Sequence, residues 1–431
     1  MITISDHQAQ AIDATVQRRK AGEPYAFIAG AAGTGKTSIA KQMAEMFEGR
    51  TVFCAPANKA ASLLAAKGCP NATSFYDAFH RNPTHMGYDD PELIARKREL
   101  NDKKDRKQIT NAERGELANL CKRQRDTNNF RPGGLKINPD HGNPGRADTF
   151  FIDEASMLDL QDVRNALAAA NGAFIVFLGD PAQLPPASGK PSGLTKPHFF
   201  LEQPHRQALE SPIYWLANHI RTHGNLPIES DSSADLYIGA DAGERQLEAD
   251  MVIVPTNRLR SLSNEFLRHQ RGFLNKVSVG ELLIRLDNDK QRQLYNGDFE
   301  ILTEEHMCNE TYKQYLTLKP VDLFGQSRHG YQLSRKIDFN LENDIVETIE
   351  QSRLSDMDTR KNHLSKKNAP IFAYGHAITC HKAQGSEWGN VCMHSYSFED
   401  LPAEKYLYTG VTRARNKVSI ITPTNLNVYK K

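Results

Sequence analysis

The run Gly30-Ala-Ala-Gly-Thr-Gly-Lys36-Thr37 fits the spacing G-x-x-x-x-G-K-[ST], and it leaves the chain few folds to choose from. Ahead of it, Tyr25 to Ala29 reads as a buried strand; behind it, Lys36 to Phe47 reads as a helix, followed by a second strand at Arg50 to Ala55. Glycines let the backbone curl until its N–H groups face an anion. The helix that follows points its positive end at the same place. In such a cradle Gly30, Gly33, Thr34 and Gly35 wrap phosphate, Lys36 reaches the β/γ-phosphates, and the Thr37 hydroxyl ligates magnesium. Strand, glycine turn and helix together predict a βαβ unit on a parallel sheet.

A second acid-bearing strand supplies the partner. Phe150-Phe-Ile-Asp153-Glu154 ends an apolar run in two carboxylates. Asp153 is expected to hold magnesium through water, and Glu154 to polarise an attacking water. Two adjacent acids imply hydrolysis, because water activation needs a general base beside the magnesium ligand. The next strand, Ala173–Gly179, runs into Asp180-Pro-Ala-Gln183-Leu-Pro-Pro186. There Gln183, an uncharged donor and acceptor at a strand edge, suits the sensing of a γ-phosphate.

Composition bounds the rest. With 39% hydrophobic and 25% charged residues, the 431-residue chain is neither disordered nor collagen-like. It has no apolar run of about 18 residues, and Met1 to Lys20 lacks an apolar signal core. Expected, therefore, are no membrane partner and a cytoplasmic location. The 54 Lys+Arg nearly balance the 52 Asp+Glu, so any nucleic-acid site must come from local basic strips rather than bulk charge. None of the six cysteines forms a C-x-x-C pair, which argues against a zinc or redox motif.

The expected fold class is α/β, with two α/β units in tandem, an insertion in the first and a small all-β insertion in the second. Residues 1–82 and 147–207 make the first domain. Residues 83–146, charged and helix-prone and then rich in Gly, Pro and Asn, read as an insertion. The second domain takes 208–275 and 371–431, interrupted at 276–370 by short strand candidates such as Phe299–Leu302, Tyr315–Leu318 and Tyr331–Phe339.

In motif content and order, nearly the whole chain resembles a superfamily 1 helicase of the 5′-to-3′ branch, typified by the phage Dda helicase and RecD-like helicases. Ile4-Ser-Asp-His-Gln8-Ala-Gln-Ala11 resembles the adenine-reading Q motif, which implies that Gln8 bonds adenine. Cys54-Ala-Pro-Ala-Asn-Lys-Ala60 and Ala72-Thr-Ser-Phe-Tyr-Asp-Ala-Phe-His80 resemble the single-strand-contacting motifs Ia and Ib. Leu201-Glu-Gln-Pro-His-Arg206-Gln resembles motif IV, Ala377-Ile-Thr-Cys-His381-Lys-Ala-Gln-Gly385-Ser-Glu387 motif V, and Leu407-Tyr-Thr-Gly-Val-Thr-Arg413-Ala-Arg motif VI. The resemblance implies two RecA-like P-loop domains in tandem with ATP between them, a small SH3-like β-barrel inserted in the second, Arg206 and Arg413 as arginine fingers from the second, and Gly385 and Glu387 at the nucleotide. DNA contacts fall to Pro56, Asn58, Lys59, Thr73, His80, His381 and Lys382, with Phe75 open between two uses, stacking on a base and packing in the core. His205 is a candidate to stack on adenine, and Asn128–Gly145 is the expected tip of the duplex-splitting pin.

The activity so implied is that of an ATP- and Mg2+-dependent DNA helicase moving 5′ to 3′ on single strands and unwinding tailed duplex. Two alternatives stay open: a translocase that displaces proteins without strong unwinding, and an RNA-directed relative. A monomer is expected, in a bacterial or phage-infected cell, with a single-strand-binding protein or replication and recombination proteins as possible partners.

Overall fold

A computed structural model describes residues 4–81, 147–202, 211–227, 235–239, 243–273, 278–288, 295–308, 313–321, 335–337, 372–395 and 402–422, apart from 171 and 187–189. Within 82–146 it describes 96, 99–100, 103, 110, 113–117 and 136–137.

The first unit uses β1 (Tyr25–Gly30), β2 (Thr51–Ala55), β3 (Thr73–Ser74), β4 (His80–Arg81), β5 (Lys136–Ile137), β6 (Thr149–Ile152), β7 (Phe174–Gly179) and β8 (Phe199–Leu201). Six of them form one sheet in the order β3-β2-β6-β7-β1-β8, and every pairing in it is parallel. Both faces of the sheet are covered, which is why its strands read as unbroken apolar runs. Successive residues serve opposite layers. Ile28, Phe53 and Phe151 pack with the helices Asp6–Lys20, Lys36–Met46 and Asn58–Ala66. Their neighbours Phe27, Phe150 and Ile152 pack with Phe75, Phe79 and the helix Leu160–Ala169. That last helix starts at a capping box, Asp159 accepting from the Asp162 amide and Asp162 returning the bond.

The insertion leaves and rejoins this unit through an antiparallel ribbon, His80 opposite Ile137 and Arg81 opposite Lys136. Of the expected pin segment Asn128–Gly145, only Lys136–Ile137 lies within the described residues.

The second unit brings β9 (Leu236–Gly239) and β10 (Met251–Val254), and then a second sheet interrupts it. That sheet takes β11 (Leu282–Arg285), β12 (Phe299–Cys308), β13 (Lys313–Val321), β14 (Arg335–Ile337) and β15 (Phe372–Tyr374). Its order is β14-β13-β12-β11-β15, and all its pairings are antiparallel. β15 pairs with β11, so the antiparallel sheet runs on to Tyr374, and re-entry into the second unit comes with the next strand. β16 (Ala377–Thr379), β17 (Trp388–His394) and β18 (Ala414–Ile421) then complete a parallel sheet in the order β16-β10-β17-β18-β9. No described helix is long and apolar enough to cross a membrane.

A compact polar junction welds the two sheets of the second half. Arg268 and Glu281 form a buried ion pair, and the Arg268 guanidinium lies over the Tyr374 ring. Burial and the neighbouring Arg271 and Arg268 push the His376 pKa down to about 3. His376 is therefore neutral near pH 7, and its Nδ1 sits 2.7 Å from Arg271 Nη1. Asn264, on the helix Asn257–Gln270, clasps β16 with both ends of its amide. Its Nδ2 donates to the Ala377 carbonyl at 2.9 Å, and its Oδ1 accepts from the Ala377 amide at 3.0 Å. Asn264→Ala would strand both Ala377 groups in a buried site and is expected to cost about 1–3 kcal/mol, read as a lower denaturant midpoint with an unchanged slope.

Candidate active site

The glycine loop follows β1 and leads straight into the helix Lys36–Met46. Gly33 and Gly35 sit at φ 77° and 81°, where a side chain is strained. Gly30 is required for space instead, since a Cβ there would lie 2.7 Å from Thr34 Oγ1 and 2.8 Å from Leu201 Cβ. Thr34 is buried and bonds the Ala31 carbonyl at 2.8 Å. Lys36 Nζ donates to the Gly30 and Ala31 carbonyls at 2.7 and 3.0 Å. Gln8 closes the loop from outside: its Oε1 accepts from the Ser5 amide, and its Nε2 donates to the Thr34 carbonyl at 3.0 Å. The residue expected to read adenine is thus also a brace of the phosphate loop.

At the ends of β6 and β7 the acids converge on that loop. Thr37 Oγ1 donates to Asp153 Oδ2 at 2.8 Å, and the Glu154 amide donates to Asp153 Oδ1 at 2.9 Å. A hydroxyl and a carboxylate meeting at a phosphate cradle are the hard oxygen donors that Mg2+ prefers, so Thr37 and Asp153 fit the ion expected of them. Glu154 is held at φ 53°, a region that costs a non-glycine residue of order 1–3 kcal/mol. Burial first, and then Asp153, push its carboxyl above the ordinary range, while Arg413 and Lys36 pull it back. Those two cations favour the ionised form that a general base needs. Gln183 is buried, and among the described residues its Oε1 has no hydrogen-bond partner.

Arg413 belongs to the second unit, at the turn between the helix Ala403–Val411 and β18. It is buried, with its Nε on the Thr409 carbonyl at 3.1 Å and its Nη2 on Thr412 Oγ1 at 3.0 Å. The side chain is thus aimed by its own helix turn into the field of Glu154, an acid on the other unit. Arg206 and His205 lie outside the described residues. Gly385 sits at φ 73°, and a Cβ there would stand 3.7 Å from Ala60 Cβ on the first unit. Glu387 is exposed.

The two units are joined most closely where 180–186 leaves β7. Leu184 is fully buried among second-unit residues, including Leu216, Tyr408 and Val411. Four second-unit side chains bond the same loop. Tyr408 Oη donates to Asp180 Oδ2 at 2.6 Å, Lys405 Nζ to the Pro181 carbonyl at 3.0 Å, and Gln384 Nε2 to the Leu184 carbonyl at 3.2 Å. Thr409 Oγ1 accepts from the Leu184 amide at 2.8 Å. The His381 ring is partly buried and meets the backbone of Pro185. None of Asp180, Lys405, Tyr408, Thr409 and Gln384 has a chemical signature in the sequence; each stands within or beside a recognisable motif, but its role exists only in the contact.

The expected strand-contacting residues divide. Pro56, Asn58 and Thr73 are partly buried at the ends of β2 and β3, and His80 lies in the ribbon at the base of the insertion. Lys59 and Lys382, from different units, converge on one turn of the antiparallel sheet. Lys59 Nζ donates to the Gly297 carbonyl at 2.6 Å, and Lys382 Nζ to Asn296 Oδ1 at 2.8 Å. Of the two uses open to Phe75, the structure shows core packing: its ring is fully buried against Phe79 and Tyr76 and offers no face to a base. Phe75 and Phe79 share one helical face, a spacing that both uses allow.

The geometry defines a class: a P-loop protein of two tandem parallel-sheet units, the second of which brings a buried arginine into the electrostatic surroundings of Glu154 on the first. Comparison with known proteins agrees. Residues 3–207 match the AAA domain family, and residues 374–421 match the UvrD-like helicase C-terminal domain. The ATP-dependent RecD2 DNA helicase of Deinococcus radiodurans is 25% identical over 437 aligned positions, covering 96% of this chain and 48% of the relative. The chain thus spans about half the length of that curated relative. A Pif1 helicase solved in a study of unwinding at forked duplex DNA superposes with a TM-score of 0.53 at 16% identity, covering 97% of this chain and 92% of its own. Pif1 from Candida albicans gives 0.50 at 13% identity, with 98% and 94% covered. These structures share the fold. The chain is thus similar to an AAA domain in its first half, to a UvrD-like helicase C-terminal domain near its end, and over most of its length to a RecD2 DNA helicase.

Two substitutions separate the roles assigned above. Glu154→Gln keeps the shape of the site but not the base, and ATP turnover should fall by about 10²–10⁴ with nucleotide affinity retained, checked by steady-state ATPase and equilibrium binding. Phe75→Ala should cost about 3–5 kcal/mol of stability. In denaturant titration and strand-binding assays, Phe75→Leu should keep most of that stability and leave single-strand affinity unchanged.

Proposed function

We propose that the protein is an ATP- and Mg2+-dependent DNA helicase that translocates 5′ to 3′ on single-stranded DNA and opens tailed duplex. The observation that carries this reading is Arg413, held by the second unit close enough to Glu154 on the first that, together with Lys36, it favours the ionised Glu154 carboxylate. Such an arginine neutralises developing phosphate charge only when the two units are together, which couples turnover to their approach. Fingers of this kind are worth about 10³–10⁵ in rate. Arg206 is proposed as a second one.

In this mechanism the loop amides and Lys36 bind the ATP phosphates, and Gln8 and Glu387 serve the base and ribose end. Glu154 takes the proton of the attacking water, whose alignment is checked by Gln183. Thr37 and Asp153 would hold Mg2+, which when bound would neutralise phosphate charge. The single strand runs along the carboxyl ends of both sheets, gripped by Lys59 and Thr73 on one unit and by His381 and Lys382 on the other. Alternating grip as the units close and part gives stepwise movement. The same substrates occur among the neighbours: a Pif1 helicase from Bacteroides, similar at a TM-score of 0.50 and 14% identity, was solved with ADP-AlF3 and ssDNA. The order of strands within the second unit supports reading the antiparallel sheet as an SH3-like domain, and the proposed place of the duplex-splitting pin is the insertion that follows His80–Arg81.

The deciding experiment is strand separation with ATP and Mg2+ on two duplexes, one with a 5′ tail and one with a 3′ tail. Unwinding from the 5′ tail alone is expected. Unwinding from the 3′ tail alone would overturn the polarity. DNA-stimulated ATPase with no unwinding on either would leave a translocase, and stronger stimulation by RNA than by DNA would redirect the substrate.

A further inference from the structure

Tyr408 stands five residues before Arg413, on the helix Ala403–Val411, and is buried with only 2% of its surface exposed. Its hydroxyl makes two contacts, both to the other unit. It donates to Asp180 Oδ2 at 2.6 Å and accepts from the Ala32 amide of the phosphate loop at 3.4 Å. The first is short and charge-assisted, the strong kind of hydrogen bond. Asp180 is in turn fixed to the turn that carries the catalytic acid. Ser156, two residues after Glu154, donates its hydroxyl to the Asp180 carbonyl at 2.9 Å and accepts from the Asp180 amide at 2.8 Å. There is no slack at this point, because a Cβ on Gly179 would meet Ser156 Oγ at 2.9 Å. One hydroxyl therefore touches the phosphate loop, the strand end beside Glu154 and, through its own helix, the arginine.

We propose that Tyr408 is a positioning residue of the hydrolytic site, whose hydroxyl, by bonding Asp180 and the Ala32 amide together, sets the register of Arg413 against Glu154 and the phosphate loop. This rests on the reading of the chain as an ATP-hydrolysing motor and adds a residue to it. The other three side chains bonded to this loop as described above, Lys405, Gln384 and Thr409, meet backbone atoms of 180–186. They hold the loop to the second unit without touching the phosphate cradle. Tyr408 alone among them reaches both, so it is the contact through which a shift of the loop amides around phosphate reaches the arginine-bearing helix. Asp180 has a second donor, the Ala182 amide at 3.1 Å. Removing the tyrosine hydroxyl therefore leaves the carboxylate partly satisfied and the ring's packing intact.

The test is Tyr408→Phe in the full chain. Measured are kcat and KM for DNA-stimulated ATP hydrolysis, equilibrium affinity for a fluorescent non-hydrolysable ATP analogue, and thermal unfolding, so that rates are compared well below the transition. Loss of a charge-assisted bond predicts a fall in kcat of about tenfold or more, with analogue affinity within about twofold. Asp180→Ala should lower kcat similarly, and the double variant should be no worse than the worse single one, because both remove the same bond. Asp180→Asn, which keeps a polar partner for the hydroxyl, should recover most of the rate. A purely structural tyrosine would lower the melting temperature and leave kcat unchanged. A fall in kcat below about fivefold, a fall matched by equal loss of analogue affinity, or additive single effects would overturn the proposal. If the wild-type chain shows no ATPase at all, the fault lies with the motor reading; an active wild type with an indifferent Tyr408→Phe refutes the positioning role alone.

Discussion

The structure depends on the seating of one loop. The segment 180–186 leaves the edge of the first parallel sheet and buries Leu184 in the core of the second unit. Burying a leucine contributes about 1.5–3 kcal/mol, and the surrounding hydrogen bonds from Tyr408, Lys405, Gln384 and Thr409 give that contact direction. Other contacts, such as Lys59 on the Gly297 carbonyl, tie the halves elsewhere, but this seating lies beside the phosphate loop. With it, Arg413 is delivered to within the field of Glu154, and a site made of two half-sites becomes one.

The phosphate cradle shows the opposite economy: it is almost wholly local. Gly33 and Gly35 take up the left-handed turns, Gly30 lets Leu201 and Thr34 approach, and the helix from Lys36 adds its dipole. The acids need only the neighbouring strands of a parallel sheet, since β6 and β7 end where β1 ends. This is why a short pattern in one strand-turn-helix and another in a distant strand suffice to identify the site.

The basic residues behave differently again. Lys59 and Lys382 come from separate units and meet at Asn296 and Gly297 of the antiparallel sheet. Gly297, at φ 97°, allows the approach, with its hypothetical Cβ 3.4 Å from Lys59 Cδ. Three sheets thus share one corner, and two lysines that the motifs link only to a nucleic-acid strand also hold the protein together there. Carbonyl and amide oxygens are weaker partners for an ammonium than phosphate is, so these bonds are of a kind that a polyanion can exchange.

The sequence by itself determined the α/β class, a second α/β unit, an all-β interruption within it, and the glycine loop with the carboxylates that face it. Each is written in short-range patterns: glycine spacing, carboxylates at a strand end, apolar runs of strand length. Only the tertiary structure decided that Phe75 is core, that Gln8 braces the phosphate loop, that Lys59 and Lys382 share a turn, and that Asp180 and Tyr408 meet. Their types admit several uses, because an aromatic can stack on a base or on a neighbour and a lysine can bond a phosphate or a carbonyl. Which use prevails depends on groups brought close from far along the chain, and residue type and local spacing carry no information about that distance.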